Sequence, residues 1–249
     1  MPPRPALFDA QEAQGDKLTI TLRNAKERGV TKLDWLDSRH TFSFSEYFDP
    51  QENGFSVLHV INDERVAPRS GFGTHPHRDM EIITYVLDGA VEHRDSLGTR
   101  SVIPAGDAQR MTAGTGIMHS EFNSSPLEPL RFLQIWIIPS RLGLKPGYEQ
   151  KSIHDRTSGK LSLVASPKGG DGALTINQDV ELYVGTMGGG KLIEKEIEKS
   201  RKAYVHVARG KVSLDGIDLI EGDGAKIVDE QHLKLSAPED AEVLLFDVP

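Results

Sequence analysis

Apolar residues along this chain come in short bursts of four to eight, often alternating with polar ones and separated by Gly, Pro, Asp and Asn. Alternation sends successive side chains to opposite faces of a strand, whereas a surface helix would space its apolar positions by three and four. The bursts Lys17–Leu22, Phe55–Ile61, Ile82–Leu87, Leu130–Ile138, Tyr204–Ala208 and Val243–Asp247 therefore predict strands. With 24 Gly and 14 Pro to supply turns, many short strands point to a sandwich or barrel and not to alternating strand–helix units. Gly188–Lys199 has charge spacing that suits a helix. A strand is the preferred reading, because Leu192–Tyr204 feeds directly into another β-rich burst.

An internal repeat sharpens this picture. Tyr85–Val91 resembles Val207–Val212, each with a glycine between two strands, and Ile103–Asp107 resembles Leu219–Asp223, each ending in Gly-Asp. Two copies of one β unit predict two domains, 1–145 and 146–249, divided within the polar, turn-rich stretch Pro139–Lys160.

The chain has 37 acidic and 29 basic residues, a net charge of −8. That balance argues against direct nucleic-acid binding, which needs clustered cations on the phosphates. No cysteine is present, which removes disulfides, thiolate catalysis and cysteine-based metal clusters. Any metal must be held by His, Asp or Glu. The start MPPRPALFDAQEAQGDK has no apolar core of signal-peptide length, and no stretch is long enough to span a bilayer, so a cytoplasmic protein is expected. Nucleophile elbows, phosphate loops and His-Glu-x-x-His motifs are all missing.

Nine histidines remain. His75 and His77 stand two apart in Gly71-Phe-Gly-Thr-His-Pro-His-Arg-Asp-Met-Glu81. That spacing would splay them on a helix but places them on one face of a strand, about 7 Å apart along it. Pro76 lacks an N–H, so the strand should be an edge or carry a bulge. Gly114-Thr-Gly-Ile-Met-His-Ser-Glu-Phe-Asn123 repeats the spacing with His119 and Glu121. Three neutral imidazoles and one carboxylate would suit a divalent first-row ion with open positions left over. Glu81 competes for the carboxylate role, and Asp79 shares its face. The remaining histidines, His40, His59, His93, His154, His206 and His232, show no matching spacing; for His40 a packing role is expected. Counting back from Gly210 as from Gly89 puts Glu196 and Glu198 where the first half has His75 and His77, and Leu235 falls where it has His119. The second half thus keeps the scaffold without the imidazoles.

His75-x-His77-x-x-x-Glu81 and Gly116-x-x-His119-x-x-x-Asn123 are similar to the two cupin motifs. More narrowly, Phe72–Arg78, Met111–Glu121 and Leu133–Trp136 resemble the pirin family, and Trp35–Phe44 and Val243–Pro249 resemble its bacterial members. The likeness covers nearly the whole chain and is strongest between 35 and 138. It implies an all-β bicupin of two tandem jelly-roll-like barrels, with metal only in the N-terminal one. It implies His75, His77, His119 and Glu121 as metal ligands, favouring Glu121 over Glu81. The ion implied is Fe2+, with Mn, Ni, Co, Cu or Zn as alternatives. The activity implied is a quercetin 2,3-dioxygenase that takes a phenolic substrate and dioxygen, with Glu121 as catalytic base. The alternative within the family is a non-enzymatic, redox-sensing iron protein that binds a regulatory protein partner.

Overall fold

The computed structural model describes residues 19–153, 158–170 and 172–249. The described residues are almost wholly β, with 22 strands and a single three-residue 3-10 turn, Ala25–Glu27. No helix among them is long and apolar enough to cross a membrane. The burst at Lys17–Leu22 appears as the strand Ile20–Arg23, with Lys17 and Leu18 outside the described residues. The segment with ambiguous charge spacing forms the strand Leu192–Glu196.

Each half lays a seven-stranded sheet over a four-stranded one, making the two expected barrels. In the first, the large sheet runs in the order Gly147–Ser152, Asp107–Thr112, Glu81–Asp88, Leu130–Ile137, Leu58–Val66, Leu36–His40, Gly29–Lys32. The small sheet runs Gly71–His77, Ile117–Asn123, Ala90–Asp95, Arg100–Pro104. In the second, Lys202–Arg209 and Ala241–Val248 form the centre of the large sheet. Its small sheet runs Leu192–Glu196, His232–Ser236, Lys211–Leu214, Ile217–Ile220. The repeat is visible as geometry. Gly89 and Gly210 both adopt φ 74°, and a Cβ on either would meet a backbone carbonyl oxygen, at 3.0 Å and 2.4 Å. Only glycine accepts that combination of left-handed backbone and close approach.

Strand membership cuts across a division at residue 145. Ile20–Arg23 pairs with Gly224–Ile227 in the C-terminal sheet, while Gly147–Ser152 pairs with Asp107–Thr112 in the N-terminal one. The two large sheets also share a core. Ile83, Leu133 and Ile135 of one pack with Leu182, Leu244 and Phe246 of the other, all essentially inaccessible. Each such side chain contributes about 1.5–3 kcal/mol by leaving water. The alternate residues of the same strands fill the barrels, so both strand faces are buried and the sequence reads as continuous apolar runs.

The barrel interiors differ. The C-terminal one is packed with Val205, Val207, Leu214, Leu233, Leu235 and Leu245 among others. The N-terminal one has apolar plugs at two places, Val86–Val91–Phe132 and Ile82–Met111–Ile117. The buried interior also carries Thr84, Gln109, His93, His119, Glu121, Asn62 and His40.

Candidate metal centre

Gly71–His77 is the edge strand of the small sheet, as Pro76 requires, and it carries an irregularity where it pairs with Ile117–Asn123. His119 lies opposite His75, and Glu121 lies opposite Phe72. The backbones approach so closely at Gly71 that a Cβ there would sit 2.4 Å from the Glu121 carbonyl oxygen. His75, His77 and His119 converge. Their ring centroids lie 4.8 Å (75–77), 4.5 Å (75–119) and 4.9 Å (77–119) apart, and one nitrogen from each falls within 4.8 Å of the others. Three nitrogens about 2.2 Å from one ion lie about 3–4 Å from one another, so side-chain rotations close the set on one ion.

The electronic state of the rings suits that task. The His75 Nδ1–H donates to the Gly73 carbonyl at 2.7 Å, which makes Nε2 the nitrogen available to a metal. Burial, joined by the neighbouring histidines, pushes the His77 imidazole down to about 4 and that of His119 to about 3. Both rings are therefore neutral at neutral pH, the form that ligates metal. His119 is 2% exposed, and neither ring nitrogen has a partner among the described residues. Leaving a buried polar atom unpaired costs about 1–3 kcal/mol, and an ion would relieve it. The donor set thus fits a divalent metal.

Glu121 enters the same interior 3% exposed. Its Oε1 accepts from Thr84 Oγ1 at 2.9 Å and Gln109 Nε2 at 2.8 Å, and its Oε2 accepts from Gln134 Nε2 at 2.7 Å. Its ligand atom groups with those of His119 and His93, so His119 belongs to two overlapping triads. Sequence spacing missed His93. It sits on Ala90–Asp95, cross-strand from Glu121, fully buried, with Nε2 3.1 Å from Asp95 Oδ2 and Nδ1 without a partner. The available signal was its own His-x-Asp spacing on a strand. Trp136 and Phe44 supply an aromatic wall, the Trp136 ring lying 4.9 Å from His77 and 5.4 Å from Phe44.

The rival carboxylate belongs elsewhere. Asp79 has φ 49° and its Oδ1 accepts the Gly143 N–H, so the chain turns there and resets the strand phase. Glu81 consequently starts a strand of the large sheet, where its carboxylate accepts from Asn177 of the second half. Among the other histidines, His40 is buried and hydrogen-bonded, His206 is fully buried between the barrels, and His232 is exposed beside Glu196. His154 lies outside the described residues. In the second barrel Leu235 pairs with Ile193, so strand pairing puts Ile193, and not Glu196, where the first barrel has His75.

The sequence pattern of the family described as Pirin matches residues 22–137, and that described as Quercetinase C-terminal cupin domain matches residues 163–248. A protein named quercetin 2,3-dioxygenase from Escherichia coli strain K12 is 49% identical over 92% of this chain and 99% of its own. This chain belongs to the pirin family. The crystal structure of the bacterial pirin YhhW from Escherichia coli in complex with nickel(II) is 48% identical, covers 92% of this pirin and 99% of that chain, and superposes with a TM-score of 0.88. A quercetin 2,3-dioxygenase structure from Acinetobacter baumannii, 23% identical over 89% of this pirin and 84% of that chain with a TM-score of 0.71, shares the fold.

Proposed function

We propose that this pirin is a metal-dependent dioxygenase that opens a flavonol ring of the quercetin type with dioxygen, releasing carbon monoxide. The observation that carries the reading is the convergence of the imidazoles of His75, His77 and His119, with a carboxylate beside the one that is buried and unpartnered. Relatives named for this activity, and a nickel-bound one, support it. His75, His77, His119 and Glu121 would hold a single divalent ion, which we take to be Fe2+; Mn, Ni, Co, Cu and Zn suit the same donors. When bound, the ion supplies Lewis acidity towards the substrate hydroxyl and open positions for oxygen ligands.

The chain's own residues do the rest. Glu121 takes the flavonol hydroxyl proton as general base. Thr84, Gln109 and Gln134 fix the carboxylate in place for that step. Trp136 and Phe44, packed edge to face, offer apolar surface for an aromatic substrate and keep water from the electron-rich ring system.

The test is elemental analysis of untagged protein followed by an oxygen-electrode assay with quercetin. Stoichiometric metal and coupled loss of flavonol and dioxygen are expected, with Glu121→Gln keeping part of the metal and losing turnover. Protein that binds metal normally yet consumes neither flavonol nor dioxygen would overturn the reading.

A further inference from the structure

One rung of the large N-terminal sheet is polar from strand to strand. Gln109 lies opposite Thr84, Thr84 opposite Gln134, Gln134 opposite Asn62, and Asn62 opposite His40. Five neighbouring strands thus contribute one inward-facing polar side chain each, in a barrel whose twin is filled with Val and Leu. Replacing such a row by apolar residues would be the simpler way to pack a core, so its retention calls for a role.

The hydrogen bonds in the row have a direction, and Glu121 dictates it. A carboxylate only accepts, so Gln134 must turn Nε2 towards Glu121 Oε2, and its Oε1 faces away. That Oε1 is buried without a donor, and Asn62, directly cross-strand, has a buried Nδ2 without an acceptor. Directly opposed side chains have Cβ atoms about 4.5–5.5 Å apart, within reach of a direct or water-bridged bond. Asn62 Oδ1 then faces His40 Nδ1 at 2.9 Å, and His40 Nε2 meets the Thr31 hydroxyl at 2.8 Å. Burial holds the His40 pKa below the ordinary histidine value, so the ring carries one N–H, and that N–H points at Asn62.

We propose that His40 and Asn62 are positioning residues for Glu121, the inward end of a chain of hydrogen bonds that starts at Thr31 and donates towards the carboxylate at every step. Bonds aligned head to tail polarise one another. The row therefore strengthens the Gln134 N–H as a donor and holds Oε2, the oxygen that Thr84 and Gln109 leave open, in place for the metal. The inference rests on the assignment of Glu121 as a ligand. Glu64 is the competing acceptor for Asn62, since it lies against Asn62 and Ser38 and its Oε2 also lacks a donor.

The experiment is nickel(II) titration of metal-free protein, arranged as a double-mutant cycle with Glu121→Gln. His40→Leu and Asn62→Leu should each weaken nickel by about tenfold, the low end for partners outside the ligand set. Neither should weaken it further in the Glu121→Gln background, because each acts through that carboxylate. His40→Gln, whose amide can donate to Asn62, should restore most of the affinity. Thr31→Val, at the half-exposed end of the row, tests the same chain without emptying the core and should give a smaller loss. Native affinity in His40→Leu and Asn62→Leu, or an equal loss with and without Glu121, would sink the positioning role while leaving Glu121 a ligand. Unchanged affinity in Glu121→Gln alone would instead remove the ligand assignment, and the proposal with it.

Discussion

Glu64 and Glu81 are buried carboxyl groups that the metal centre does not use, and each invites its own measurement. Burial, with nearby Asp63 and Glu121, pushes the Glu64 pKa from its ordinary 4.5 up to about 8. Between those values the folded protein holds a proton that the unfolded chain has lost, so stability falls as pH rises across the window and levels off above it. Glu64→Gln should match the parent below pH 4.5 and gain on it by about 1.4 kcal/mol per pH unit up to about pH 8. Urea midpoints across that range check it; a constant difference would show that Glu64 does not titrate as its surroundings demand. Glu81→Gln should leave metal content unchanged, because Glu81 is tied to Asn177, whereas His119→Ala should abolish it. Elemental analysis of both variants decides. The two His-x-His/Glu pairs were legible because a strand's period of two leaves little freedom. His93 was not, because its link to the centre is a cross-strand neighbour relation and not a spacing. Glu81 competed with Glu121 on spacing because counting by twos carries no meaning across the turn at Asp79.

At the scale of elements, the centre depends on how tightly the edge strand Gly71–His77 lies on Ile117–Asn123. A methyl group at residue 71 would stand 2.4 Å from the Glu121 carbonyl oxygen and 2.5 Å from the Phe122 Cα. Backbone cannot rotate out of the way as a side chain can, so the strands must separate. Gly71→Ala should cost about 1–3 kcal/mol, as other overpacked sites do, and should weaken metal binding by moving His75 away from His119. Thermal melts with and without metal check both, and a variant that lost stability but bound metal normally would show that the two strands are not coupled as drawn. Several strands of the large sheets were plain in the apolar bursts, and this edge strand and its neighbour in their His and Glu spacing. Which sheet each would join was not, since pairing partners are chosen by contacts far along the chain.

For the whole molecule, the informative feature is the exchange of strands between the halves. Ile20–Arg23 borders the C-terminal sheet, and Arg23 reaches back from it to donate to the Thr41 carbonyl at 2.9 Å and the Tyr47 hydroxyl at 2.8 Å. Removing that strand should leave Gly224–Ile227 as an open sheet edge and lower the melting temperature of the whole protein, because the large sheets share one core. Two separate melting transitions, with only one shifted, would contradict that coupling. The internal repeat foretold two barrels but not this stitching, since the repeat begins well after Ile20.

The same stitch sets an order on synthesis. The partner of Ile20–Arg23 begins at Gly224, some two hundred residues later. At about 5–20 residues per second on the ribosome, the leading segment waits on the order of ten to forty seconds beside a first barrel that can already close. During that interval its ladder groups are unclaimed, and a neighbouring nascent chain could capture them before the protein's own last strands emerge.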